Sequence, residues 1–169
     1  PPRTLNGPKS HIAWAALEDV YNQEGQLLVF VGTRRSAQSE AKKLGQRMAK
    51  FLSKNKPESL KELQKLSEKL ARNSNSAMGD TLAECVKGGV AFHHAGLRHS
   101  QRQLIESAFK ERLLHCLCAT PTLAAGVNLP ARRVLVRDLK RFDDGMSRLL
   151  PVMEVRQMLG RAGRPRSVS

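Results

Sequence analysis

The stretch "QLLVFVGTRRSAQSEAKKLGQRMAKFL", Gln26 to Leu52, changes its period in the middle. Leu27 to Val31 is an unbroken apolar run closed by Gly32, the pattern of a short strand buried on both faces. From Ser36 the apolar residues fall at Ala37, Ala41, Leu44, Met48 and Phe51, a single stripe at helical spacing that predicts a helix to Leu52. Strand, turn and helix in this order form one unit of an α/β sheet, and the rest of the chain repeats the unit.

Upstream, Ile12, Ala15, Ala16, Val20 and Tyr21 predict a helix from His11 to Glu24, ended by Gly25. Downstream, Leu60, Leu63, Leu66 and Leu70 form a narrow stripe on a charged helix starting near Pro57. A second short helix, capped by Asp80, should reach Lys87. These two helices, about 57–87, read as an insertion. "GGVAFHHAG" restarts a strand, and Ser100 caps a helix to Lys110 with Leu104, Ile105, Ala108 and Phe109 inward. "HCLCAT" is a third strand, and "RRVLVRDL" a fourth around Val134 to Leu139. Asp144–Gly145 signals a hairpin turn within about 138–151. A final helix is expected from Val152 to Leu159. The fold class is therefore α/β with a mostly parallel sheet.

Composition bounds the function. The 169 residues suffice for one sizeable core. No apolar run approaches the length of a membrane span, and the N-terminus lacks a secretory h-region. Lys and Arg number 29 against 15 Asp and Glu, a net charge of +14 that favours a polyanionic partner, most simply nucleic acid. A solvated basic surface is the plain alternative, and charge does not separate DNA from RNA. Three cysteines without disulfide-like spacing point to a reducing, cytoplasmic setting. Cys116 and Cys118 should share one buried strand face, and no CxxC pair supports a metal site.

Ligands of open parallel sheets bind beyond the carboxyl ends of the strands. There the sequence has "GTRRSA", "HHAGLRHSQ" and "TPTLAAGVNLP", loops of small residues, hydroxyls, imidazoles and arginines suited to phosphates. Singly, Thr33 is a helix cap, Gly96 a turn residue and Thr120 a satisfied strand end. Together on one edge of a basic chain they suggest a backbone-binding rim. "QMLGRAGRP", Gln157 to Pro165, adds two arginines, each preceded by glycine. Rigid guanidinium forks of this kind match phosphate oxygens. The chain has neither a GxxxxGK[ST] loop nor an acidic pair after a strand to hold Mg²⁺, so it reads as half of an ATP site.

In this order the segments resemble the second RecA-like domain of superfamily-2 helicases, most nearly the archaeal Hjm-type repair DNA helicases, kin to the helicase part of theta-class polymerases. "LLVFVGTRRSA" is similar to motif IV, "GGVAFHHAGL" to motif IVa, "ATPTLAAGVNLPARRV" to motif V and "EVRQMLGRAGRP" to motif VI. The resemblance covers nearly all of residues 1–169. It implies a RecA-like three-layer lobe of a larger, monomeric 3′–5′ enzyme acting in repair or replication restart, with ATP and Mg²⁺ held mainly by a first RecA-like domain outside this sequence. Gln157, Arg161 and Arg164 would face the nucleotide as catalytic and binding residues, Arg164 as the finger. Gly126 and Asn128 would lie near the ribose. Thr33, Arg34, Gly96, Arg102 and Thr120 would hold single-stranded or branched DNA, and Phe142, on a strand-separating hairpin, would meet the last base pair.

Two expectations follow from the chain's extent: the fragment alone is inactive, and a sheet strand after motif VI is missing, leaving a basic open edge. Two other readings stay open. The exosome-associated RNA helicases share "HHAGL" and a similar motif VI, and a non-catalytic nucleic-acid-binding module fits the charge.

Overall fold

A computed structural model describes residues 3–4, 9–123, 129, 131, 133–137, 140–143, 146–149 and 153–156. The elements are β1 (Arg3–Thr4), α1 (Lys9–Asn22), β2 (Leu27–Phe30), α2 (Arg34–Asn55), a 3-10 turn (Pro57–Ser59), α3 (Leu60–Arg72) and α4 (Ala77–Val86). They continue with β3 (Val90–His93), α5 (His99–Lys110), β4 (Cys116–Ala119), β5 (Arg133–Val136), β6 (Lys140–Asp143), β7 (Met146–Leu149) and β8 (Met153–Arg156).

The main sheet has the order β1-β8-β5-β2-β4-β3. Four adjacent strands, β5, β2, β4 and β3, are parallel, with Phe30 level with both Ala119 and Val136, and His93 level with Ala119. The carboxyl ends of β2, β3, β4 and β5 therefore form one straight rim. Parallel strands need crossovers, which α2 to α4 provide on one face and α5 on the other. Successive strand residues alternate faces; accordingly His93 meets Glu106 of α5, whereas its neighbour His94 meets Gln38 of α2.

The core follows the predicted stripes. Ala37, Ala41, Leu44 and Met48 of α2, Leu63, Leu66 and Leu70 of α3, and Ile105, Ala108 and Phe109 of α5 are buried. Cys116 and Cys118 are buried together on β4, as free thiols. In α1 the stripe is rotated from expectation. Ala13, Leu17 and Val20 face inward while Ala15 is exposed, because Trp14 also turns in to meet Phe51 edge-on at 5.8 Å. The end of α1 uses Glu24 rather than Gly25 in the left-handed region, φ 59°, and Gly25 N–H closes the turn onto Val20 O at 2.8 Å.

Caps differ in detail. Ser76, not Asp80, caps α4, accepting from Gly79 N at 3.1 Å, while Asp80 takes the Ser74 hydroxyl in the first turn. α5 begins at His99 with Arg98 as its cap residue, so Ser100 lies inside the first turn. Gln101 supplies the cap bond, its Oε1 accepting from Arg98 N at 3.0 Å.

One element departs in kind. Within the expected final helix, Met153–Arg156 is a strand, β8, paired antiparallel to β5 through Val134↔Val155 and Val136↔Met153. Met-Glu-Val-Arg alternates apolar and polar at period two, and β5 presents an unpaired edge that a strand satisfies and a helix does not. β1 then pairs with β8. β5 is thus flanked by β2 and β8, and the open basic edge expected from a strand missing after motif VI lies outside the described residues. The hairpin is present: β6 and β7 pair antiparallel as a separate two-stranded sheet with Asp143↔Met146 at its tip. No helix among the described residues is long and apolar enough to cross a membrane.

Candidate nucleic-acid interface

Three loops meet at the carboxyl rim of the parallel strands. The first is Gly32–Thr33–Arg34, where β2 hands over to α2. Thr33 is extended (φ −137°) and its Oγ1 accepts from Ser36 N at 3.0 Å, capping the helix. The side chain thus fixes the start of α2, and Arg34 and Arg35 of the first turn are exposed. Val31 N–H reaches Ala119 O at 2.9 Å, holding this loop against the end of β4.

The second loop, His94–Leu97, is built by side chains. His94 is buried, stacked on Phe92 with ring planes 16° apart. Its Nδ1 accepts from Gly96 N at 3.0 Å, which makes Nε2 the protonated nitrogen that donates to Gln38 Oε1, also at 3.0 Å. Burial, with Arg34 adding repulsion, lowers the His94 pKa from 6.5 to about 4, so the ring is neutral. Gly96 is where the loop tolerates no side chain. A Cβ would come 2.9 Å from His94 Cε1 and 3.2 Å from Arg34 Nη1. That second distance also brings Arg34 of the first loop beside Gly96 of the second. Arg102, from the first turn of α5, donates through Nη1 to Ala95 O at 3.1 Å and Leu97 O at 2.8 Å, bracing the loop from behind.

The third loop starts at Thr120, which is buried. Its N–H donates to His93 O at 3.3 Å, and its hydroxyl pairs with that of Thr122 at 3.0 Å. Of the residues expected to hold a strand, Thr33, Arg34, Gly96 and Thr120 thus share one rim, and Arg102 sits behind it as a brace. Phe142 lies on β6, opposite Ser147. Gly126, Asn128, Gln157, Arg161 and Arg164 lie outside the described residues.

Two features of the rim were not anticipated. Arg137, directly after β5, is paired with Glu40 of α2 at 2.5 Å, both residues being under 10% exposed. A glutamate on the apolar stripe of α2 was the available signal; its partner 97 positions later was not. His93 Nε2 lies 2.7 Å from Glu106 Oε2, and its buried Nδ1 has no hydrogen-bond partner among the described residues. Among the described residues no group of three His, Cys, Asp or Glu is placed to hold a metal ion.

A four-stranded parallel core with strand-end loops of this composition defines a RecA-like α/β lobe. Residues 55–166 match the helicase conserved C-terminal domain, and the chain belongs to that family. It is 44% identical over 165 residues, 97% of its length, to an ATP-dependent DNA helicase Hel308 of Methanocella arvoryzae, of which it spans 22%. A protein of the same name from Pyrococcus horikoshii is 47% identical over 140 residues, 82% of this chain and 19% of that protein. Another from Thermoplasma volcanium is 43% identical over 149 residues, 88% of this chain and 20% of that protein. The chain spans about a fifth of the length of these relatives.

Proposed function

We propose that this chain is the second motor lobe of an ATP-dependent, 3′–5′ DNA helicase, acting on single-stranded or branched DNA together with a first RecA-like domain and further domains of the same protein. The observation that supports it best is the convergence of Thr33, Arg34, Gly96 and Thr120 on one strand rim in a chain of net charge +14. Such a rim suits a sugar–phosphate backbone rather than base edges, so binding should be salt-sensitive and weakly sequence-dependent. The relatives' names favour DNA over RNA.

ATP with Mg²⁺ would supply the free energy of a phosphoanhydride bond, bound mainly by the first domain. Gln157, Arg161 and Arg164 would orient and neutralise phosphate oxygens from this side of the cleft, and Gly126 and Asn128 would lie by the ribose. The β6–β7 hairpin, carrying Phe142, would stand where the duplex opens.

Arg164→Ala in the full-length helicase tests the reading. DNA-stimulated ATP turnover should be lost while single-strand affinity is kept; normal turnover removes the finger role. Phe142→Ala should slow unwinding at unchanged ATP turnover, and normal unwinding removes the wedge role. Matched DNA and RNA strands should compete unequally, in favour of DNA.

A further inference from the structure

We propose that the outer face of α2 is a second nucleic-acid surface, a track for the phosphate backbone of duplex DNA formed by Lys43, Arg47, Lys50 and Lys54. The inference rests on the reading of the chain as a DNA-helicase lobe. It concerns a surface away from the strand-end rim.

α2 carries seven basic residues and one acid, and the acid, Glu40, is buried against Arg137. The solvent face of the helix is therefore of one sign. Lys43, Arg47, Lys50 and Lys54 are exposed and recur at four, three and four residues, which places them on one side of the helix. With a rise of 1.5 Å per residue the row is about 16 Å long. Along that length one strand of a duplex carries about five phosphates.

The neighbouring surface helices set carboxylates beside some of their cations. Lys65 of α3 pairs with Glu62 at 3.1 Å, and Lys87 at the end of α4 pairs with Glu84 at 2.8 Å. Among the described residues, Lys43, Arg47, Lys50 and Lys54 have no carboxylate partner. Like charges at three and four residues destabilise a helix. A polyanion lying along the row relieves that repulsion.

Arg47 is already held in place, its guanidinium 4.6 Å from the centre of the Trp14 ring. The aromatic side chains that border the row decide between one strand and two. Single-strand sites combine cations with aromatic faces on which bases stack. Here Trp14 and Tyr21 both pack edge-on with Phe51, at 5.8 and 5.4 Å, and Tyr21 also meets the His115 ring edge-on at 5.0 Å. The row offers charge without a stacking platform, which suits a duplex whose bases are turned inward.

The test is the triple substitution Lys43→Gln, Lys50→Gln, Lys54→Gln in the full-length helicase, with Arg47 left on Trp14. Fluorescence anisotropy would follow a blunt duplex and a single strand from 50 to 200 mM salt. The plot of log K against log salt for the duplex should become shallower by about 2.7, the value for three lost phosphate contacts on B-form DNA. Single-strand affinity and single-strand-stimulated ATP turnover should change less than twofold. Lys61→Gln, Lys65→Gln, Lys69→Gln on α3 removes the same charge and should leave the duplex slope unchanged. An unaltered slope in the α2 variant, equal losses on duplex and single strand, or an equal effect of the α3 variant would each overturn the proposal. Failure of the unsubstituted helicase to bind DNA would instead overturn the motor reading.

Discussion

The Glu40–Arg137 pair provides the sharpest test of how the rim is held. Its carboxylate and guanidinium lie 2.5 Å apart, at 5% and 9% residue exposure, and Arg137 N–H also bonds Phe30 O at 2.8 Å. Glu40→Gln keeps the shape and one acceptor but removes the carboxylate charge that faces the buried Arg137 guanidinium. Breaking a buried pair from one side costs about 3–5 kcal/mol, and the retained acceptor places this change near 3. For a chain of this size each kcal/mol lowers Tm by roughly 2–4 °C, so a fall of about 6–12 °C is expected in a thermal scan of the purified chain. The double variant Glu40→Leu, Arg137→Met removes both charges at similar volume and should recover most of that loss. A single variant within about 3 °C of the parent, or a double variant less stable than the single, would refute the assignment of a tightly coupled buried pair.

Gly96→Ala should lower single-strand affinity by roughly 3–10-fold, about 1 kcal/mol, because the new methyl displaces His94 or Arg34; unchanged anisotropy would count against this loop touching the strand. Gly88→Ala should cost more than about 3 kcal/mol, since its Cβ would sit 2.0 Å from Gly45 O, backbone that cannot yield; a parental urea midpoint would contradict this. Acid should destabilise the lobe through His94 and His115, both lowered from 6.5 to about 4, mainly by burial. A histidine whose folded pKa is lowered binds its proton more readily when unfolded. Its stabilisation is therefore complete above about pH 6.5 and lost as pH falls towards 4, by up to about 3 kcal/mol for each ring. Urea midpoints that stay level from pH 7 to 4.5 would exclude it.

The parallel core was legible because it is written in short-range patterns. Leu27–Phe30 and Cys116–Ala119 are unbroken apolar runs, and α2 and α5 show clean helical stripes. β8 was misread because four residues hold too few periods to separate alternation from an apolar run, and the deciding factor, the open side of β5, is a tertiary one. Position on the rim was legible from strand order alone. The supports were not: Gln38 beneath His94, Glu106 beside His93 and Glu40 on Arg137 are contacts across 56, 13 and 97 positions, for which local spacing holds no signal.

The three thiols have a practical consequence. Cys85, Cys116 and Cys118 are all buried. Burial pushes Cys85 up to about 12, while a hydrogen bond with the Cys116 thiol and burial hold Cys118 well above its usual value. Alkylating reagents attack the thiolate, so these positions should react slowly while the lobe is folded. A single cysteine placed on an exposed position such as Lys61 would then take a fluorophore with little background. Such a label would report on this lobe without first replacing Cys85, Cys116 and Cys118, and the sudden appearance of extra labelling would report unfolding in the same tube.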